Sequence, residues 1–170
     1  MASDKPRELL RLDVGHGFGG FKDLDSDGVY ELEINDWSYA YWKTSFAGSP
    51  APRVILAWDG HQYAPSVRLM KLNSITPEAI AKSAVTSREV IESEDGLSEL
   101  LRTMLDLIYC GRSEQAYDYF DQAWPDKVAG KSEFRRELLM IMADSPYRDV
   151  IEALGHPPLP RRSQLREKSQ

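Results

Sequence analysis

Carboxylates recur at alternate positions in one short stretch of the chain. Asp23, Asp25 and Asp27 are each separated by one other residue. Gly28 comes next, and a fourth carboxylate, Glu31, stands at the ninth place of the run. A Ca²⁺ ion takes several oxygen ligands at about 2.3–2.6 Å, and a short loop supplies them only when every second side chain turns inward. This spacing therefore predicts a Ca²⁺ site, which identifies a bound ion but no reaction.

The residues after the aspartates complete the predicted loop. Gly28 permits a sharp turn with positive φ, so that the Val29 carbonyl can join the ligands and Glu31 can close the site. In an EF-hand the closing Glu lies at the twelfth position, between two helices. Here the twelfth position is Ile34, and residues 29–34 alternate as a half-buried strand does, with Tyr30 expected on the core face. The alternative is a solvated acidic turn of the Asp-Gly hairpin type.

This loop, leading directly into a strand, resembles the FG-GAP/VCBS repeat family, whose β-propeller blades carry calcium between adjacent strands. The resemblance covers about residues 8–66, and its specific part is the nine-residue loop 23–31. The family usually has Asp at the ninth place, so Glu31 departs from its pattern. The resemblance implies the following ligands: the side chains of Asp23, Asp25, Asp27 and Glu31, with the carbonyl of Val29.

Composition narrows the possible partners. The chain has 170 residues, of which 42% are hydrophobic and 28% charged, and no apolar run approaches the ~18 residues of a membrane span. The net charge is −6 without a cluster of basic residues, which argues against a nucleic-acid partner. The single cysteine, Cys110, excludes an internal disulfide.

The signals for cellular location point in two directions. Residues 1–7 are polar and lack the apolar centre of a signal peptide, so the chain as written would stay in the cytoplasm. A calcium loop of this kind, however, suits surroundings in which calcium reaches about 10⁻⁴–10⁻³ M. We therefore expect a periplasmic or extracellular location, as part of an exported bacterial-type protein.

Aromatic residues crowd the stretch that follows the second predicted strand. Trp37, Tyr39, Tyr41, Trp42 and Phe46 all fall within ten residues. Such rings can stack on sugars or anchor a protein partner, and they can equally fill the core of a small sheet. The alternation of a strand predicts Trp37, Tyr39 and Tyr41 on one face and Trp42 on the other. We then expect one face in the core and the other available to a ligand.

Further patterns place the other strands. Residues 8–14 suit a first strand, and residues 53–58 and 61–64 suit a hairpin around Asp59-Gly60. The glycines of residues 15–20 match the dinucleotide-binding pattern Gly-x-Gly-x-x-Gly. That pattern must open a helix, and here a loop and a strand follow, so nucleotide binding is not expected.

Helical periodicity begins after about residue 72. Thr76 and Pro77 signal one helix start, and further helices are predicted over 96–109, 114–124, 132–143 and 147–154. The second and third of these helices, at about 97–125, are similar to one tetratricopeptide repeat. A single unit does not form a stable stack, so a plain antiparallel helical hairpin is the favoured alternative. The residues that carry the similarity are Leu100, Gly111, Ala116, Phe120 and Ala123.

Familiar catalytic patterns do not occur in the sequence. His16, His61 and His156 are far apart, so no helical zinc pair exists, and there is neither a Gly-x-Ser-x-Gly elbow nor a Walker loop. An enzyme would require residues scattered in sequence to converge, for example His16 with Asp36 and a nearby serine such as Ser38. We expect a protein without catalytic activity.

Together these patterns predict an α+β fold. A small antiparallel sheet with the calcium loop spans residues 1–70, a helical bundle of residues 71–156 packs on it, and residues 157–170 form a flexible tail. The expected function is a calcium-binding, non-enzymatic binding or scaffolding domain. The first alternative is a carbohydrate or cell-wall binding module, and the second is a hydrolase with an unrecognised site. The expected partner is a protein or a glycan.

Overall fold

The computed structural model describes residues 10, 12, 14–17, 19–72 and 75–161. Its fold is α+β, as predicted, with a four-stranded antiparallel sheet followed by a helical region. Residues 8, 9, 11 and 13 of the predicted first strand lie outside the described residues. Leu10, Leu12 and Val14 pack against the core without belonging to a strand.

The sheet follows chain order. Its strands are β1 (Gly20–Lys22), β2 (Glu31–Asn35), β3 (Arg53–Trp58) and β4 (Tyr63–Pro65), in the spatial order β1-β2-β3-β4. In the central pair Leu32 lies opposite Leu56, and Ile34 lies opposite Val54. These four side chains are buried, and Ile55 between them is buried as well. Because Ile55 points to the opposite face from its neighbours, both faces of β3 are covered.

Two features of the first hairpin differ from the sequence prediction. Strand β1 was not expected, because the glycines before it read as turn residues. Tyr30 was expected beside Leu32 on the core face, but it is 58% exposed. It precedes β2, and its carbonyl accepts a hydrogen bond from the Tyr63 hydroxyl at 2.9 Å. Within β2 the alternation of buried and half-buried residues therefore starts only at Leu32.

In the described part of the chain six helices follow the sheet, and most of them begin within a few residues of the predicted starts. The Thr76 side chain caps α2 by accepting from the Ala79 amide at 3.2 Å, and Ser93 caps α3 by accepting from the Gly96 amide at 3.2 Å. The short α1 carries no helical period and was not predicted. The helices are α1 (Val67–Met70), α2 (Pro77–Val90), α3 (Glu94–Tyr109), α4 (Ser113–Ala123), α5 (Lys131–Asp144) and α6 (Arg148–Ala153).

One buried cluster joins the sheet to the helices. Helix α3 packs against α2 and α4 and also contacts β3, so it lies at the centre of the molecule. No helix in the described part of the chain is long and apolar enough to cross a bilayer. The cluster includes, among others, Leu32, Ile34 and Ile55 from the sheet and Leu100, Met104, Leu105, Phe120 and Ala123 from the helices.

The aromatic segment after β2 is a series of turns, so the predicted strand through Trp37, Tyr39 and Tyr41 is wrong. The Ala40 amide donates to the Trp37 carbonyl at 3.0 Å, and the Trp42 amide donates to the Tyr39 carbonyl at 3.2 Å. Tyr41 and Lys43 take left-handed backbone conformations, with φ of 62° and 61°. Such residues break the alternation on which the two-face prediction rested.

The segment after α6 is held on the protein at the point where the sequence predicts a flexible tail. Leu159 is 3% exposed; its amide donates to Glu152 Oε1 at 2.8 Å and its carbonyl accepts from Arg148 at 2.8 Å. His156, at the start of the segment, is also buried. Leu159 therefore holds this segment on the protein, although residues 157, 158 and 161 are exposed, and residues 162–170 of the predicted tail lie outside the described residues.

Candidate functional site

The predicted calcium loop connects β1 to β2, and it brings three aspartates together. Asp23, Asp25 and Asp27 each offer a carboxylate oxygen within 4.8 Å of the others. Among the residues described here, this is the one such group of acidic, histidine or cysteine side chains. The spacing of the sequence is thus realised as a converging set of oxygen donors, the ligand type that Ca²⁺ prefers.

Backbone amides of the loop fix these carboxylates. Asp23 accepts hydrogen bonds from the amides of Asp27 at 3.2 Å and Gly28 at 3.1 Å. Asp27 in turn accepts from the Val29 amide at 2.7 Å. Gly28 and Ser26 have φ of 86° and 62°, which close the loop. Asp and Asn side chains commonly stabilise turns in this way, so the same residues shape the loop and supply its charge.

Arg68, from the short helix α1, reaches into the loop. Its guanidinium donates to Asp25 Oδ2, and this hydrogen bond holds the pKa of the Asp25 carboxyl below its usual range. The same guanidinium interacts electrostatically with Asp27 and Glu31. The second oxygen of Asp25, Oδ1, is buried and has no hydrogen-bond partner among the described residues. Sequence reasoning missed Arg68, because no local pattern links residues separated by 43 positions.

The two remaining predicted ligands are the Glu31 side chain and the Val29 carbonyl. Glu31 is 2% exposed, and its Oε2 accepts from the Leu24 amide at 2.7 Å. It is not part of the group of three aspartates, and it ties the start of the loop to β2. Val29 is exposed, and its amide donates a hydrogen bond to Asp27 Oδ1. The structure therefore brings together three of the four predicted side-chain ligands, and the Val29 carbonyl remains a predicted ligand.

The four aromatic residues predicted to bind a ligand do not share a face. Tyr39 is fully buried, Tyr41 is 65% exposed, and Trp37 and Trp42 are half-buried. Trp37 lies near-parallel to Phe46 at 5.7 Å between ring centroids, and Phe46 lies 5.4 Å from Tyr41. Trp42 points elsewhere and contacts Phe134 of α5 at 4.9 Å. The rings do divide between buried and exposed positions, but Tyr39 and Tyr41, predicted on the same face, differ completely in burial.

The stacked rings of Trp37, Phe46 and Tyr41 depend on the glycine-rich segment. His16 completes the cluster, with its ring 4.9 Å from that of Phe46. A Cβ at Gly17 would lie 2.8 Å from Trp37 Nε1, so glycine is required for the indole to lie there. Gly15 and Gly17 therefore give room to the Trp37 side chain, and the glycine-rich segment leads into strand β1 and not into a nucleotide-binding helix.

A buried carboxylate joins the aromatic segment to the helices. Asp36 is 2% exposed, and its Oδ1 accepts from the Ser38 amide at 2.9 Å and the Ser38 hydroxyl at 2.6 Å. Its Oδ2 accepts from the hydroxyls of Tyr109 at 2.5 Å and Ser145 at 2.6 Å. Since Tyr109 donates its proton to Asp36, the bond of 3.0 Å between Tyr39 and Tyr109 must be donated by Tyr39. We call these five residues the Asp36 network.

The Asp36 network has a structural character. Burial raises the pKa of Tyr39 and Tyr109 well above the usual value, so both hydroxyls remain protonated donors. The hydrogen bonds of Asp36 go to Ser38, Tyr109 and Ser145, while the ring of His16 contacts Trp37 and Phe46. Among the described residues, the catalytic grouping of His16 with Asp36 and Ser38 is therefore not formed.

Comparisons with known proteins add no assignment: no protein-family model, no curated protein and no solved structure matches this chain.

Proposed function

We propose that this protein is a calcium-binding, non-enzymatic binding or scaffolding domain of an exported bacterial-type protein. The observation that carries the proposal is the convergence of Asp23, Asp25 and Asp27, whose carboxylate oxygens lie within 4.8 Å of one another. The loop amides that orient Asp23 and Asp27 support it, because a site that is already shaped loses less entropy when an ion binds.

The charge of the loop favours a divalent cation. Three carboxylates at these separations repel one another, and Arg68 supplies a single positive charge. Asp25 Oδ1 is a buried oxygen with no hydrogen-bond partner among the described residues, and such oxygens are uncommon in folded proteins. A cation in the loop would give this oxygen a partner and would offset the repulsion.

Calcium is the ion that this loop suits best. Mg²⁺ demands near-octahedral geometry at about 2.0–2.1 Å and gives up its waters reluctantly. Ca²⁺ accepts irregular arrangements of carboxylate and carbonyl oxygens at longer distances. Because the aspartates are partly exposed, we expect weak binding, of the kind that operates at the calcium levels of a periplasmic or extracellular setting.

In this proposal the ion contributes to stability by holding the connection between β1 and β2. A ligand that binds only the folded state stabilises it by RT ln(1 + [L]/Kd), about 2.7 kcal/mol at a hundredfold excess over Kd. The fixed loop would support the neighbouring surfaces on which a protein or glycan partner binds.

Calcium binding is tested by calorimetric titration and thermal unfolding of chelator-treated protein with CaCl₂ or MgCl₂. We expect saturable heat and a rise in melting temperature with CaCl₂, and a smaller response to MgCl₂. Asp25→Asn should lose both effects because it removes a central carboxylate. The matched control is Asp118→Asn, an exposed position on α4, which should respond like the parent protein. Absence of any calcium response, or a full response in Asp25→Asn, would contradict the proposal.

A further inference from the structure

A groove of about 500 Å³ lies between the turn segment after β2 and helix α5. It is separate from the calcium loop and from the stacked rings around Phe46. Its wall combines an indole, two carboxylates, two apolar side chains and a hydroxyl. The lining residues are Ser38, Trp42, Glu137, Met140, Ile141 and Asp144.

An unusual backbone places Trp42 in this groove. Its two neighbours, Tyr41 and Lys43, have φ of 62° and 61°, a region that bulky residues seldom occupy. Such conformations persist where surrounding contacts hold them, and they concentrate at ligand sites. Here the Tyr41 amide donates to the Ser49 hydroxyl at 2.8 Å, and Lys43 pairs with Glu137. The strained turn therefore fixes the indole between the groove and Phe134.

A donor and an acceptor stand together beside this indole. Lys43, the residue after Trp42, places its Nζ 2.9 Å from Glu137 Oε2. The hydrogen bond from Lys43 is the main cause that lowers the pKa of the Glu137 carboxyl, so this group is an ionised acceptor at neutral pH. Asp144 adds a second carboxylate to the lining.

The opposite part of the lining is apolar. Met140 and Ile141, both on α5, are half-buried and contribute aliphatic surface. An aromatic ring, aliphatic surface and the Glu137 carboxylate therefore line one groove, and Lys43 pairs with that carboxylate from beside the groove. A pyranose has matching chemistry, because its C–H face is apolar while each of its hydroxyls both donates and accepts hydrogen bonds.

We infer that this groove binds a saccharide, with a pyranose ring packed on Trp42 and its hydroxyls bonded to Lys43 and Glu137. The groove suits an uncharged ligand better than a cationic one, since a cation would have to displace Lys43 from Glu137. Nucleic acid is disfavoured by the two carboxylates and by the net charge of −6. The inference goes beyond calcium binding and does not depend on it.

The test is isothermal titration of the protein with cellotetraose, chitotetraose, xylotetraose and mannotetraose, each in the presence and absence of EDTA. We expect saturable binding of at least one tetrasaccharide, unchanged by EDTA. Trp42→Ala should weaken it at least about tenfold, the scale of losing one aromatic stacking contact. Glu137→Gln should weaken it to a smaller extent. The EDTA comparison separates failure of this inference from failure of the calcium proposal.

Two controls keep the result interpretable. Because Trp42 packs on the buried Phe134, Trp42→Ala could disturb the fold, whereas the side chain of Glu137 is 29% exposed and its change to Gln conserves shape. Trp58→Ala removes a half-buried tryptophan at the β3–β4 hairpin and should leave binding intact.

No binding of any tetrasaccharide would overturn the inference. Binding lost in Tyr41→Ala but kept in Trp42→Ala would also overturn it, because the sugar would then lie on the stacked rings.

Discussion

At the scale of single residues, His156 shows how burial fixes a protonation state. Its Nδ1 lies 2.6 Å from the Pro157 carbonyl, which can only accept, so Nδ1 carries the proton. The other nitrogen, Nε2, then accepts from the Tyr117 hydroxyl at 2.7 Å. Burial lowers the pKa of His156. The negative charge of Glu152 raises this pKa, and the positive charge of Arg135 lowers it further.

The lowered pKa of His156 predicts that the protein loses stability on mild acidification. The unfolded chain binds a proton near the ordinary histidine pKa of about 6.5, above the folded-state value, so the unfolded state gains protons first. The stabilisation is fully present above that pH and is lost as pH falls through the folded-state pKa. Urea unfolding from pH 8 to pH 5 should show a steeper loss for the parent protein than for His156→Phe.

His61→Gln provides the comparison for this experiment, because His61 is exposed in the turn between β3 and β4. Its stability should follow the pH dependence of the parent protein. If His156→Phe and the parent protein lost stability in parallel, the pH effect would belong to other groups.

At the scale of elements, the turn between α2 and α3 depends on the absence of a side chain. A Cβ at Gly96 would lie 2.1 Å from the Val90 carbonyl oxygen and 2.9 Å from the Ile91 Cα. Both are backbone atoms, so the helices would have to move apart. We expect Gly96→Ala to lower the free energy of unfolding by about 2–3 kcal/mol, as overpacking of a buried contact does. Chemical denaturation measures this directly.

Gly20, in the exposed strand β1, is the matched control for Gly96. No atom lies within 4 Å of a Cβ at that position. Gly20→Ala should change stability by no more than about 0.5 kcal/mol. Equal effects of the two substitutions would show that loss of backbone freedom, and not the collision with Val90, governs the result.

Elements with a local signal were predicted well from the sequence. Thr76 with Pro77 starts α2, the apolar stripe of α3 recurs at helical spacing, and Asp59-Gly60 lies in the turn between β3 and β4. The prediction of a strand for the aromatic segment was wrong because residues distant in sequence fix its turns. Lys43 reaches Glu137 of α5, and Asp36 reaches Ser145, and neither pairing leaves a periodic trace in the sequence.

The candidate sites also differ in whether a local sequence pattern predicts them. The three aspartates converge because their own loop amides orient them, so their spacing was sufficient to predict the group. Arg68 and the lining of the Trp42 groove come from later elements. Their contributions follow from tertiary packing, which a pattern of residue types does not encode.

At the scale of the whole molecule, the Asp36 network joins three regions. Asp36 follows β2, Tyr109 ends α3, and Ser145 follows α5. Asp36→Ala would leave the buried hydroxyls of Tyr109 and Ser145 without their acceptor. Each unsatisfied buried group is costly, so we expect a loss of about 2–4 kcal/mol in the free energy of unfolding, measured by urea denaturation.

Asp126→Ala, at an exposed position after α4, controls for the simple loss of a carboxylate. It should remain close to the parent protein in the same denaturation series. A similar small effect of Asp36→Ala would mean that the hydroxyls find other partners and that the network does not hold the three regions together.

The sequence separation between Asp36 and Ser145 also affects how the protein folds during its synthesis. Ser145 is 109 residues from Asp36, so during synthesis the carboxylate emerges long before its last donor. Until then Asp36 has only Ser38 and Tyr109 as donors, so burying its charge is less favourable than in the complete network. The nascent sheet is thereby discouraged from collapsing on itself, and its final packing waits for α5. We therefore expect a chain that ends before Ser145 to hold Asp36, and with it the end of β2, less firmly than the complete chain does.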